Sequence, residues 1–142
     1  MTVEQIKKLI REKELKHGVI RGLLEAVVDR ESDFRIDAKG QAGEVGLAQL
    51  LTKGGAIADY EQEHEPLEDY RDPESNLEVA AWYLGNRIPR YLRYYDLEES
   101  IKNIIISYNA GISRAISGDI PTLTAGYVVE IEEALKKKVT GA

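Results

Sequence analysis

The chain has 142 residues, 43% apolar and 31% charged, which suffices for one folded domain over 1–142 and excludes a disordered composition. Its net charge of −6 argues against nucleic acid as a partner, since such binding rests on clustered basic residues. No cysteine is present, so disulfides, thiolate catalysis and cysteine–zinc sites are ruled out.

Thr2 with Gln5 reads as a capping box. It opens a polar helix to about Leu15, with Ile6, Leu9 and Ile10 on one face and His17-Gly18 at its end. These first residues lack the apolar core of a signal peptide, and no apolar run in the chain is long enough to span a membrane. His17 and His64 sit on polar segments without metal-ligand spacing, so no metal or other cofactor is expected.

A second helix is expected over Val19–Glu31. Ile20, Leu23, Leu24, Val27 and Val28 mark its buried face. One further turn of that face reaches Glu31, where an apolar residue should stand. By pattern alone, Glu31 either turns to solvent and pairs with Arg30 or Arg35, or serves chemistry. Apolar surroundings and the negative end of a helix both raise a carboxyl pKa, as a general acid requires.

Asp33–Gly46 carries three glycines and reads as a loop or short irregular β-hairpin. Gly46–Leu51 then re-enters the core. Thr52 is expected to cap a short helix over Lys53–Tyr60, and Glu61–Arg71 to form a surface loop. Asp72-Pro73-Glu74 is a helix start, with an end at about Arg87 enforced by Pro89. Arg90–Tyr95 fits either a sugar-stacking wall or a segment packed on the core. Asp96 with Glu99 reads as another capping box, before a helix with Ile101, Ile104, Ile105 and Tyr108 on one face, closed by Gly111. Taken alone, Tyr108 and Asn109 are ordinary core and cap residues. Gly118–Pro121 is a turn. The last helix should run from Thr124 to Lys138, with Tyr127, Val128, Ile131 and Leu135 inward and Lys136–Lys138 as a solvated last turn. The sum is mainly α, about seven helices with one irregular hairpin.

Four motifs stand in a fixed order: Glu31-Ser32 with Gly46-Leu47-Ala48-Gln49, Asp72-Pro73-Glu74 with Asn76-Leu77 and Tyr83-Leu84, Ser107–Gly111, and Pro121 with Tyr127-Val128. Together, over about residues 18–135, they resemble the catalytic domain of the soluble lytic transglycosylases, relatives of goose-type lysozyme with a lysozyme-like fold. The resemblance implies an enzyme acting on the glycan strands of peptidoglycan, with Glu31 as sole catalytic acid/base and a 1,6-anhydromuramoyl product. It further implies that Gln49, Tyr108 and Asn109 line the groove, that Tyr127 packs near the acid, and that Glu44 faces the site from the hairpin as a substrate contact. Two departures stand out. Ala48 replaces the family's usual Met, which would widen the groove, and Gly40 replaces a common serine.

A goose-type muramidase, which hydrolyses the same bond, is the rival within enzymes. Hydrolysis needs a held water, usually on a second carboxylate. The resemblance places such aspartates where this chain has Gly40 and Leu51, although Asp33, Asp37 or Glu44 would serve instead. The other rival is a non-catalytic wall-binding module. A monomer is expected. A short chain of this kind fits a phage endolysin, a virion-associated wall-piercing domain, a fragment of a larger bacterial enzyme, or an engineered sequence.

Overall fold

The computed structural model describes the backbone of residues 1–140 and the side chains of residues 1–137. The elements are α1 (Val3–His17), α2 (Leu23–Ser32), α3 (Gly55–Glu63), α4 (Pro73–Trp82), a π turn (Tyr83–Arg87), α5 (Ile88–Tyr94), α6 (Ile101–Ala110), α7 (Ile112–Ser117) and α8 (Thr122–Thr140). With α4, the π turn and α5 taken as one rod, the described residues form seven helices, the number expected, although α7 is not among the elements read from the sequence. The hairpin is reduced to two antiparallel bridges, Lys39 to Val45 and Val45 to Leu50. Among the described residues, no helix is long and apolar enough to cross a membrane.

α2 is the central element. It packs against α1 and α8, and its Leu23, Leu24, Val27 and Val28 are fully buried. It begins four residues later than expected. Gly18 and Gly22 both adopt positive φ, so the chain turns between them and leaves Ile20 exposed on the surface. The start of α2 is capped from a distance. The buried Glu14 of α1 accepts hydrogen bonds from the backbone N–H groups of Gly22 (3.1 Å), Leu24 (2.9 Å) and Glu25 (3.4 Å). An acid there satisfies orphan donors and complements the helix dipole. It also pins α1 to the helix that carries Glu31.

The rod from Pro73 continues through Pro89. A proline inside an α-helix lacks an N–H and crowds the preceding turn. Here the wider π turn comes immediately before it, with the N–H of Ile88 reaching back to Tyr83. Asp72 caps the rod as expected, accepting from Ser75 N–H at 3.1 Å. Three further sequence expectations fail. Thr52 does not cap α3, which starts behind Gly54 at φ +77° without a side-chain cap. Asp96 turns out of the helical region at φ +56°, and Ser100 caps α6 instead. α8 begins at Thr122 and continues past Lys138, so Lys136 and Lys137 are exposed within it, and the side chain of Lys138 lies outside the described residues.

Candidate active site

Glu31 sits in the last turn of α2, one turn beyond Val27 and Val28, and is half-buried. It opens onto a groove of about 450 Å³ whose walls include Glu44, Gln49, Tyr83, Tyr108 and Asn109. Residues from α2, the hairpin, the π turn and the end of α6 therefore line one groove with this carboxyl group. A larger cavity of about 670 Å³ lies between α1, the 19–22 turn, Ile101 and Leu135. Its acids are Glu14, already committed to the cap of α2, and Glu25.

Burial lifts Glu31 to about 7. Glu44 pushes in the same direction and Arg30 opposes both. The carboxyl thus exchanges its proton near neutrality, as a group that serves as acid and then base requires.

The hairpin is held by side chains whose hydrogen-bond partners the sequence does not reveal. Asn76 of α4 is completely buried and uses both ends of its amide. Its Oδ1 accepts from Ala48 N–H at 2.8 Å, and its Nδ2 donates to Val45 O at 3.0 Å and Tyr70 O at 2.9 Å. The chain passes so close that a Cβ on Gly46 would lie 2.4 Å from Asn76 Nδ2, and Gly46 has φ +80°. Tyr108 donates its hydroxyl to Ala48 O at 2.8 Å. Gln49, itself at φ +52°, donates to Ala38 O and Gly46 O at 3.0 and 2.9 Å. Both donors of its amide are occupied, which leaves Oε1 as the acceptor at the groove. Asn109 Oδ1 accepts from the buried Thr124 hydroxyl at 2.7 Å, which locks its orientation.

The structure thus brings Glu31, Glu44, Gln49, Tyr108 and Asn109 into one groove. Tyr127 is separate: it lines an adjoining concavity that shares Glu31, Asn109 and Ala110 with the groove. Burial raises Tyr83 to about 12 and raises Tyr108 and Tyr127 well above the ordinary phenol value, so all three phenols remain protonated donors. The Arg90–Tyr95 segment is not a groove wall. It is helical, Leu92 is buried, and Tyr91 accepts from Arg87 at 2.6 Å. Ala48 is fully buried and does not itself line the groove.

The position of Gly40 has a clear consequence. A Cβ there would stand 2.7 Å from the Glu44 carboxyl carbon and 2.8 Å from Gln49 Oε1. Glu44 occupies this space, with Oε1 accepting from Ala42 N–H at 2.8 Å. Glycine at 40 and an inward Glu44 therefore go together. Asp33 and Asp37 are exposed and do not line the groove, and Leu51 lines it without offering an acceptor.

A family model described as the Transglycosylase SLT domain matches residues 8–118. An inactive mutant of the lytic transglycosylase Slt from Pseudomonas aeruginosa is similar in structure, with TM-score 0.73 and 19% identity over 96% of this chain and 24% of that one. The 70 kDa soluble lytic transglycosylase of Escherichia coli gives 0.70 and 21% over 88% and 22%. A 70-kDa soluble lytic transglycosylase in complex with bulgecin A gives 0.64 and 19% over 90% and 21%. These likenesses establish the fold, and the chain spans about a quarter of the length of these relatives.

Proposed function

The chain belongs to the Transglycosylase SLT domain family, and from that premise we propose that it is a peptidoglycan lytic transglycosylase with Glu31 as its sole acid/base. The observation that carries the reading is a half-buried glutamic acid, raised to about 7, among the residues that line the groove. Glu31 protonates the oxygen between N-acetylmuramic acid and N-acetylglucosamine, and the bond from that oxygen to the muramoyl anomeric carbon breaks. The Glu31 carboxylate then takes the proton of the muramoyl 6-hydroxyl as its oxygen bonds to the same carbon. The acid returns to its starting form, a 1,6-anhydro ring closes, and no water is consumed. Gln49 Oε1, the Asn109 amide and Tyr83 supply the groove contacts that hold the sugar. Tyr108 acts mainly through the hairpin, since its hydroxyl is spent on Ala48.

One observation favours a second reading, hydrolysis of the same bond. Of the three carboxylates able to hold a water, Glu44 alone reaches the groove. Its fixed contact with Ala42 N–H and its place above Gly40 leave it as a charge beside the acid rather than a second catalyst, and the absence of an acceptor on Leu51 favours the anhydro route. Clearance of a bacterial wall suspension, followed by turbidity, tests the catalytic role. The wild type should clear it and Glu31→Gln should not. Equal clearance by both would sink the assignment, and no clearance by either would leave a binding module.

A further inference from the structure

Two aromatic side chains are left over once the core and the groove are accounted for. Of the eight tyrosines in the chain, six have a clear place. Tyr60 and Tyr127 are buried, Tyr70 and Tyr91 hold hydrogen bonds to Glu61 and Arg87, and Tyr83 and Tyr108 line the groove. Tyr94 and Tyr95 do none of this. They are 81% and 46% exposed, and neither hydroxyl has a partner among the described residues. They stand at the end of α5, where the chain closes in a Schellman turn. Asp96, at φ +56°, donates its N–H to Arg93 O at 3.1 Å, and Leu97 N–H donates to Leu92 O at 2.8 Å. Leu92 is fully buried and Leu97 packs against the core. The leucines therefore seal the helix end without help from the tyrosines. The turn fixes the backbone beneath both rings, whose centroids lie 4.9 Å apart with the planes at 84°. Together they form an aromatic corner open to solvent, and tyrosine gives such contact area at low entropy cost because only two χ angles are fixed.

The surroundings narrow what the corner can receive. Two tyrosines offer at most about 400 Å², half of the roughly 800 Å² that each partner gives to a stable protein interface. Arg93, Asp96, Glu98 and Glu99 beside them in the chain are all exposed, so the apolar area ends with the two rings. Arg93 is paired with Glu99 at 2.7 Å and lends hydrogen-bonding groups to the rim. A small flat ligand with an apolar face and a polar edge fits this setting. A β-linked pyranose is such a ligand, since its axial C–H groups make the face and its hydroxyl and acetamido groups the edge. We propose that Tyr94 and Tyr95 form an accessory glycan-binding platform, outside the catalytic groove, that stacks sugar rings of the polymer backbone. The platform rests on the glycan-cleaving reading and extends it to how the protein stays on an insoluble polymer. Tyr94 lies about 16 Å along the rod from Tyr83 of the groove, so the two sites engage separate sugars. Two modest contacts on one polymer raise the local concentration of strand at the groove. Ring stacking also suits a chain of net charge −6 on an anionic wall, because it does not depend on charge.

Co-sedimentation of Glu31→Gln with insoluble chitin and with insoluble peptidoglycan tests the platform without any strand being cut. Removing both rings, as Tyr94→Ala with Tyr95→Ala, should weaken retention on both polymers about five- to tenfold, while Tyr94→Phe with Tyr95→Phe should keep it within about twofold. The difference between the two variants should persist in high salt. Both positions are exposed, and the single Tyr94→Ala carries the same test should the double variant fail to fold. Unchanged retention after loss of the rings overturns the platform. Equal loss in the phenylalanine variant also overturns it, since the hydroxyls would then be the contact. Loss on peptidoglycan alone does so too, because both polymers present the same ring faces. With Glu31 intact, the ratio of wall clearance to turnover of a short soluble glycan fragment should fall about fivefold in the alanine variant. The sedimentation needs no cleavage, so a chain that cuts nothing defeats the reaction and leaves the platform standing.

Discussion

At the scale of single residues, the role proposed for Glu31 ties activity and pH response to one group. Its carboxyl titrates near 7, against 4.5 in the unfolded chain. As a general acid it must start protonated in the proposed reaction, so kcat/KM should fall as pH rises through about 7, read from a pH–rate profile. The same shift has a stability consequence. A folded-state value above the unfolded one means that the folded chain binds the extra proton. Its stabilising effect is complete below pH 4.5 and is lost as pH rises through about 7. Glu31→Gln removes that loss, and at pH 8 it should be more stable than wild type by about 1–3 kcal/mol, measured by urea unfolding. Gly40→Ser makes a second test. The new side chain meets the far ends of Glu44 and Gln49, so stability should change by less than about 1 kcal/mol. Glu44 must swing out, its repulsion on Glu31 weakens, and the alkaline limb of the pH–rate profile should move to lower pH. An unmoved limb would mean that Glu44 does not act on the acid. At this scale the sequence was partly legible. Glu31 stands out because it breaks an apolar stripe, and Gln49 and Asn109 follow from motif spacing. The contacts of Asn76 and Thr124 are not legible, because a polar residue inside a helix gives no hint of which distant backbone or amide it will meet.

At the scale of elements, the site depends on how the hairpin is clamped. Asn76 satisfies one N–H and two carbonyls in a fully buried place. Asn76→Ala leaves all three exposed to an apolar interior and should cost about 2–4 kcal/mol, read from the shift in urea midpoint. Activity should fall more than folding alone explains, because Gln49 and the Ala48 carbonyl that receives Tyr108 lie on the same strip of chain. Glu14 plays the corresponding part for α2. Glu14→Ala removes three cap hydrogen bonds and should cost about 1–2 kcal/mol by the same measurement. Helix existence was readable from apolar spacing for nearly every element. Boundaries were less so, for physical reasons. The start of α2 is set by an acid eight to eleven residues upstream, and the rod crosses Pro89 because a π turn relieves the clash that proline normally creates. Local rules contain neither fact. The short α7, absent from the sequence reading, lacks any buried residue that would have produced a pattern.

At the scale of the whole molecule, α1 and α4 are joined by an ionic cluster that steadies the scaffold beneath the groove. Glu78 accepts from Lys13 at 2.8 Å, Lys16 at 3.0 Å and His17 at 2.7 Å. Burial alone would raise its pKa, but the bonds from Lys13, Lys16 and His17 outweigh it and hold Glu78 at about 2. A depressed carboxylate contributes stability above pH 4.5 that is lost as pH falls toward 2, the opposite sense to Glu31. The fold is that of the lytic transglycosylases, and three of the four sequence motifs contribute residues to one groove, while Pro121 and Tyr127 of the fourth line the adjoining concavity. The central claim is that Glu31 drives ring closure without water. Mass spectrometry of digested peptidoglycan tests it most directly. Wild type should release fragments ending in 1,6-anhydromuramoyl residues, lighter by one water than hydrolytic products, and Glu31→Gln should release none. Reducing ends from the wild type, or anhydro ends from the variant, would contradict the account.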